Sequence, residues 1–167
     1  LGRPRPAVVA VLIVAGLALV AGLFAAEMGR DEEGDDVRLR AVADYDPEGD
    51  GAEHPEAVPA AVDGNEGTYW TTETYQDFAK SGVGIVLDAR REVELGEVEL
   101  VSDEPGFTAR IQAGAAAEGP FEDVSEEQRV EERTTFELDT GGEAYRYYVV
   151  WITRLDGRAH VNEVLAR

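Results

Sequence analysis

The chain has 167 residues, no cysteine and a formal net charge of −20. The missing cysteines exclude a disulfide scaffold and any Cys-based zinc or redox centre. The carboxylate excess excludes nucleic-acid binding, which needs Lys and Arg clustered on phosphates.

The charge is unevenly placed. Over residues 1–30, Arg3, Arg5 and Arg30 against Glu27 leave +2, so the remaining 137 residues carry −22. Such a surface confers solubility, or it draws divalent cations and basic partners. The chain opens on Leu1 and not Met, as expected for a fragment of a longer polypeptide or a processed product. Residues 1–6 read as a cytoplasmic juxtamembrane stub. Residues 7–26, AVVAVLIVAGLALVAGLFAA, carry no charged or polar side chain. At about 1.5 Å per residue this segment matches a bilayer core of about 30 Å, and it predicts one transmembrane helix. Arg3 and Arg5 precede it and six acidic residues follow within ten, so positive-inside bias places the soluble part outside the cytoplasm. A cleavable signal peptide is the competing reading. The apolar run is long for one, and Phe24 stands where a small residue is wanted. Residues 27–36 form an acidic linker with nothing to bury.

From Val37 to Arg167 the pattern has period two, which predicts strands. In chain order the expected core faces are Val37, Leu39 and Ala41; Val83, Ile85 and Leu87; Val93 and Leu95; Val98 and Leu100; Phe107, Ala109 and Ile111; and Phe136 with Leu138. The segment AYRYYVVWITRL is apolar on both sides, as for a strand covered on both faces. AHVNEVLA closes the chain. Turn signals separate these runs at Asp63-Gly64, Pro105-Gly106, Gly119-Pro120, Gly141-Gly142 and Asp156-Gly157. One short helical turn is expected over His54–Val62, limited by Pro59. Together these signals predict an all-β domain, an antiparallel sandwich or barrel, with Trp70 and Trp151 both buried.

Nothing in the soluble part points to catalysis. Two histidines and three serines offer no nucleophile elbow, and no glycine-rich phosphate loop precedes a helix. The informative stretch is AVDGNEGTYW, residues 61–70. Asp63, Asn65 and Thr68 place hard oxygens in a tight loop, which suits Ca²⁺. The other reading is a plain turn, with Asp63 capping local amides and Trp70 packed below. Tyr75, Phe78 and Lys80 follow in a loop where aromatic stacking on a sugar is conceivable, or where the loop packs on its own domain.

The motif around Asp63, the strand GVGIVLDA and the closing HVNEVLA resemble the discoidin, or coagulation factor 5/8 type C, family. That resemblance implies a galactose-binding-like jelly-roll β-sandwich over residues 37–167. It also implies a structural Ca²⁺ held by Asp63, Asn65 and Thr68 with Glu163 from the terminal strand. YDPEGDG (45–51), DGNEGTYWTTETY (63–75), KSGVGIVL (80–87) and VVWITRL (149–155) further resemble the extracytoplasmic domain of MviN-like proteins and related bacterial membrane Ser/Thr protein kinases. The resemblance implies a ligand-binding or sensor ectodomain of a kinase or pseudokinase, with Tyr75, Phe78 and Lys80 as candidate ligand contacts. The expected partner is a cell-envelope carbohydrate or peptidoglycan fragment. The alternative is a structural, protein-interaction module that positions a membrane complex and meets an envelope protein.

Overall fold

The computed structural model describes residues 36–49 and 52–167. The expected stub, the span over 7–26 and the linker up to residue 35 lie outside the described residues. Among the described residues no helix is long and apolar enough to cross a membrane.

Most of the period-two runs become strands, but the expected run of Val93 and Leu95 does not stand alone: Val93 ends a longer strand and Leu95 lies in the connection after it. In chain order the strands are β1 (Arg40–Tyr45), β2 (Trp70–Thr71), β3 (Val83–Val93), β4 (Glu97–Val101), β5 (Thr108–Gly114), β6 (Glu122–Asp123), β7 (Gln128–Arg129), β8 (Arg133–Glu137), β9 (Tyr145–Arg154), β10 (His160–Val161) and β11 (Glu163–Ala166). A 3-10 helix, Pro55–Val62, holds Pro59 in its interior and is the only helix among the described residues. The two-residue strands β6 and β7 were not legible, because the acidic stretch around them has no apolar alternation.

Every strand pairing is antiparallel. One sheet runs β1-β3-β9-β5-β6, with β7 also on β5; a second runs β11-β4-β8; and β10 pairs with β2. The register sets Val86 opposite Val149, Ile85 opposite Val150, and Ile111 opposite Val150 from the other side. Between the two larger sheets, Ile85, Leu87, Ile111, Tyr148, Val150 and Ile152 meet Val98, Leu100, Phe136 and Val164 in one core. The opposite faces of β3 and β9 are buried too. There Val86, Val149 and Trp151 lie under Tyr45, Phe121 and neighbouring side chains. This explains why β9 reads as apolar on both sides: it is the middle strand, and each of its faces has a separate cover.

Trp70 is wholly buried and Trp151 is 6% exposed, on β2 and β9. The domain's two ends meet, since the Val37 amide donates to the Ala166 carbonyl at 2.9 Å. The fold is thus an antiparallel β-sandwich, as expected.

Candidate functional site

The loop after the 3-10 helix turns on Gly64, whose φ of +80° favours glycine. Asp63 caps it. Its Oδ1 accepts the Asn65 amide at 2.8 Å and its Oδ2 accepts the Thr68 hydroxyl at 2.8 Å. Asn65 Oδ1 in turn accepts the Gly67 amide at 3.0 Å. Glu163, buried on β11, reaches across 99 positions to accept the Gly64 amide at 2.9 Å. Burial pushes the Glu163 carboxyl above its ordinary range, and the charges of Asp63 and Glu66 add to the shift. The tertiary fold therefore gathers Asp63, Asn65, Thr68 and Glu163. All four offer oxygens, the donor type a hard cation takes, but only two are carboxylates. Among the described residues no three His, Cys, Asp or Glu side chains converge on one point, so a cation here would lean on Asn65, Thr68 and backbone carbonyls.

Tyr75 and Phe78 pack edge to face at 5.0 Å, and the Lys80 ammonium lies 5.0 Å from the centre of the Tyr75 ring. Both rings are half-buried against the main core. Their polar neighbours are already engaged. Lys80 Nζ donates to Asp46 Oδ1 and to Tyr75 Oη, both at 2.8 Å, and sits 3.4 Å from Glu53 Oε1. Tyr75 Oη donates to Glu53 Oε1, and Glu53 Oε2 accepts the Glu73 amide at 2.7 Å. Glu53 is fully buried, and its backbone carbonyl accepts the Trp70 indole N–H at 2.6 Å. Burial and the adjacent Glu53 carboxylate push the Tyr75 phenol up to about 12. Burial by itself would lower the Lys80 ammonium, but hydrogen bonds to Asp46 and Tyr75 outweigh it and hold it above its ordinary value.

This network lies behind a surface cleft and is tied to it through Tyr75. Tyr75 exchanges backbone hydrogen bonds with Gly157, which ties the 72–82 loop to the Asp156-Gly157 turn. Beside that junction Thr74, Glu104, Pro105, Asp156 and Arg158 line a hollow of about 460 Å³. Arg158 grips Glu104 with two parallel hydrogen bonds, 2.8 and 3.0 Å, which hold the Glu104 carboxyl below its usual range. Next to them, Tyr69 stacks flat on His160, with ring centres 3.8 Å apart and planes 10° from parallel. His160 is buried. Its Nδ1 is 2.8 Å from Asp103 Oδ1, while its Nε2 lies 3.3 Å from Glu104 Oε2 without hydrogen-bond geometry. Tyr69, at 39% exposure, is one of the two most exposed large hydrophobic side chains among the described residues.

Tyr69, Thr74, Glu104, Arg158 and His160 did not stand out in the sequence. Tyr69 had a usable signal: with Trp70 turned inward at the start of a strand, its neighbour must face out. Arg158 follows a predicted turn, but its closeness to Glu104 is a contact across 54 positions that only the fold supplies.

No protein-family model and no curated protein matches this chain. Solved structures do match. A CBM32 module of Clostridium perfringens (CpGH89CBM32-5), in complex with GalNAc-β-1,3-galactose, superposes with a TM-score of 0.58 at 16% identity, covering 78% of this chain and 98% of that one. The C-terminal domain of a Bacteroides fragilis chitobiase gives 0.56 at 17% identity, covering 80% and 97%. A Ruminococcus gnavus GH29 fucosidase gives 0.53 at 17% identity; the match covers 77% of this chain but 24% of the fucosidase. At such identities the likeness is one of fold: the described residues adopt the galactose-binding-like β-sandwich seen in CBM32 carbohydrate-binding modules.

Proposed function

We propose that this domain is a non-catalytic glycan-binding module, and that its sugar face is the cleft bounded by Tyr69, Thr74, Glu104 and Arg158. The observation that carries the reading is the exposed Tyr69 ring, held flat by His160 beside the doubly hydrogen-bonded Arg158–Glu104 pair. A sugar needs an apolar surface for its C–H face and fixed donors and acceptors for its hydroxyls, and this arrangement offers both. Tyr75, Phe78 and Lys80 then act from behind the cleft, where Asp46 and Glu53 hold them and Tyr75 braces Gly157 on its lining. The fold shared with carbohydrate-binding modules supports the same reading.

The test is titration of the soluble domain with oligosaccharides, peptidoglycan fragments among them, followed by calorimetry. A saturable signal that Tyr69→Ala and Arg158→Ala each abolish, with unfolding unchanged, is the expected result. Recovery of an envelope protein with no glycan signal at all favours the protein-interaction alternative.

The wider setting is also our proposal. The apolar run at 7–26 and its flanking charges support a single-span protein with this domain outside the cytoplasm. The resemblance of its motifs to those of MviN-like proteins supports an ectodomain role in a kinase or pseudokinase. A C-terminal reporter active only outside the cytoplasm tests the orientation. A structural Ca²⁺ at Asp63, Asn65, Thr68 and Glu163 completes the proposal; bound there, it would offset the repulsion between two carboxylates in an acidic domain.

A further inference from the structure

We infer a second binding site, for a sugar that carries one carboxylate or phosphate, in a cleft apart from the Tyr69–Arg158 face. The cleft has a volume of about 720 Å³ and runs between the start of β1, the end of the 3-10 helix and β11. Its size is that of a small-molecule pocket. Arg38, Arg40 and Arg90 line it, over a partly apolar floor that includes Leu39, Val62 and Val164.

Charge pairing sets this cleft apart. In a sequence with 35 acidic and 15 basic residues, an arginine is expected to find a carboxylate partner. Most described arginines follow that expectation: Arg110 meets Asp123, Arg133 meets Glu66 and Glu99, Arg158 meets Glu104, and Arg167 meets Glu97. Arg38, Arg90, Arg91 and Arg129 have no ion pair among the described residues, and of these Arg38 and Arg90 both line this one cleft, which also holds Asp63 and Glu163. Those two carboxylates are turned to other donors, Asp63 to Asn65 and Thr68, and Glu163 to the Gly64 amide. Asp36, the remaining acid on the lining, is exposed at the rim.

Arg40 is nearly as free. Its one acidic neighbour, Asp88, is 3.7 Å away and already satisfied by Arg146 at 2.9 and 3.1 Å and by the Arg90 amide at 2.7 Å. That last bond also holds Arg90 at φ +66°, a backbone state a side-chain-bearing residue rarely adopts. Arg38 and Arg90 thus line one hollow with no carboxylate committed to either among the described residues, and Arg40 beside them makes a single long ion pair with Asp88. A planar fork of N–H donors fits a carboxylate or phosphate in the bidentate manner. Because the domain's field is strongly negative, the site suits a ligand with one compact anionic group and disfavours a polyanion.

Residues 35–167 form one compact unit with its own core, so the soluble domain serves for the test. Glucuronate and glucose 6-phosphate are titrated against isotope-labelled domain, read at the arginine side-chain N–H signals and the amides of Arg90 and Val164. Glucose and inorganic phosphate are the controls. The expected result is saturable shifts in the millimolar range with at least one acidic sugar, and weaker ones with either control. The arm that saturates at lower concentration identifies the anion as carboxylate or phosphate. Arg38→Gln and Arg90→Gln should each weaken binding about tenfold, the worth of one good charged contact. Arg129→Gln, which removes another arginine without an ion pair at a different place, should not. No saturable shift, equal response to glucose or to inorganic phosphate, or equal loss with Arg129→Gln overturns the assignment.

Discussion

The Lys80 ammonium lies 2.8 Å from Asp46 Oδ1, joining two loops 34 positions apart over the wholly buried Glu53. Asp46 has no side-chain exposure, and its second oxygen finds no hydrogen-bond partner among the described residues. Lys80 is thus the cation that makes two buried carboxylates tolerable.

Replacing it should be costly. Lys80→Met strands the Asp46 and Glu53 charges, and losing one partner of a buried pair typically costs about 3–5 kcal/mol. Urea unfolding should show a lower midpoint at unchanged slope. The double variant Lys80→Met with Asp46→Asn should recover part of the loss. A Lys80→Met midpoint equal to wild type would remove the network from the account of the fold.

Alkaline pH attacks the same cluster. Tyr75 is raised from 10.0 to about 12, and Lys80 is raised above 10.5. A group whose folded value is raised contributes its full stability below its unfolded value and loses it as pH climbs through the folded one. Stability should therefore decline from about pH 10 upward as Tyr75 and then Lys80 lose protons. Tyr75→Phe should show a shallower decline between pH 10 and 12, followed by thermal melting at each pH.

Glu163 gives the opposite end of the scale. Its folded carboxyl is raised above 4.5 by burial, so its ionised form at neutral pH weighs against the fold. Glu163→Gln, which retains an oxygen for the Gly64 amide, should raise the melting temperature at pH 7 in the absence of divalent cations. The advantage should vanish once pH falls below 4.5, where the wild-type group is protonated in both states. If Ca²⁺ occupies the loop, millimolar calcium should raise the wild-type melting temperature and leave Glu163→Gln and Asp63→Ala nearly unmoved. Matched magnesium and monovalent salt control for screening of the acidic surface. Equal shifts from all three salts would leave Asp63 as the cap of a turn.

Two packing changes probe the two faces of the sandwich. Trp70→Ala opens a cavity in the main core and strands the Glu53 carbonyl, at about 3–5 kcal/mol. Gly82→Ala acts on the opposite face, since its new methyl would overlap the Trp151 indole, and overpacking of this kind costs about 1–3 kcal/mol. Chemical denaturation of each variant reads both losses. Gly82→Ala with wild-type stability would show that Trp151 has room to shift.

The sequence by itself determined the longer strands and most of the core, though not the two-residue strands β6 and β7. Alternation is local: when Ile85 and Leu87 face one way, the pleat obliges Val86 to face the other, and burial on both faces shows as an unbroken apolar run. The turn at Asp63-Gly64 was legible for the same reason, because its capping oxygens lie within five positions of the amides and hydroxyl they serve. Which side chains share a site was decided by the tertiary structure. Glu163 meets Gly64 across 99 positions, Arg158 meets Glu104 across 54, and Lys80 meets Asp46 across 34. No periodicity encodes such separations; strand order and register do, and these follow from the packing of the whole core. Tyr75 and Lys80 illustrate the difference: the sequence brings an aromatic ring and a cation into one loop, and only the folded chain commits both to buried carboxylates while leaving Arg38 and Arg90 with none.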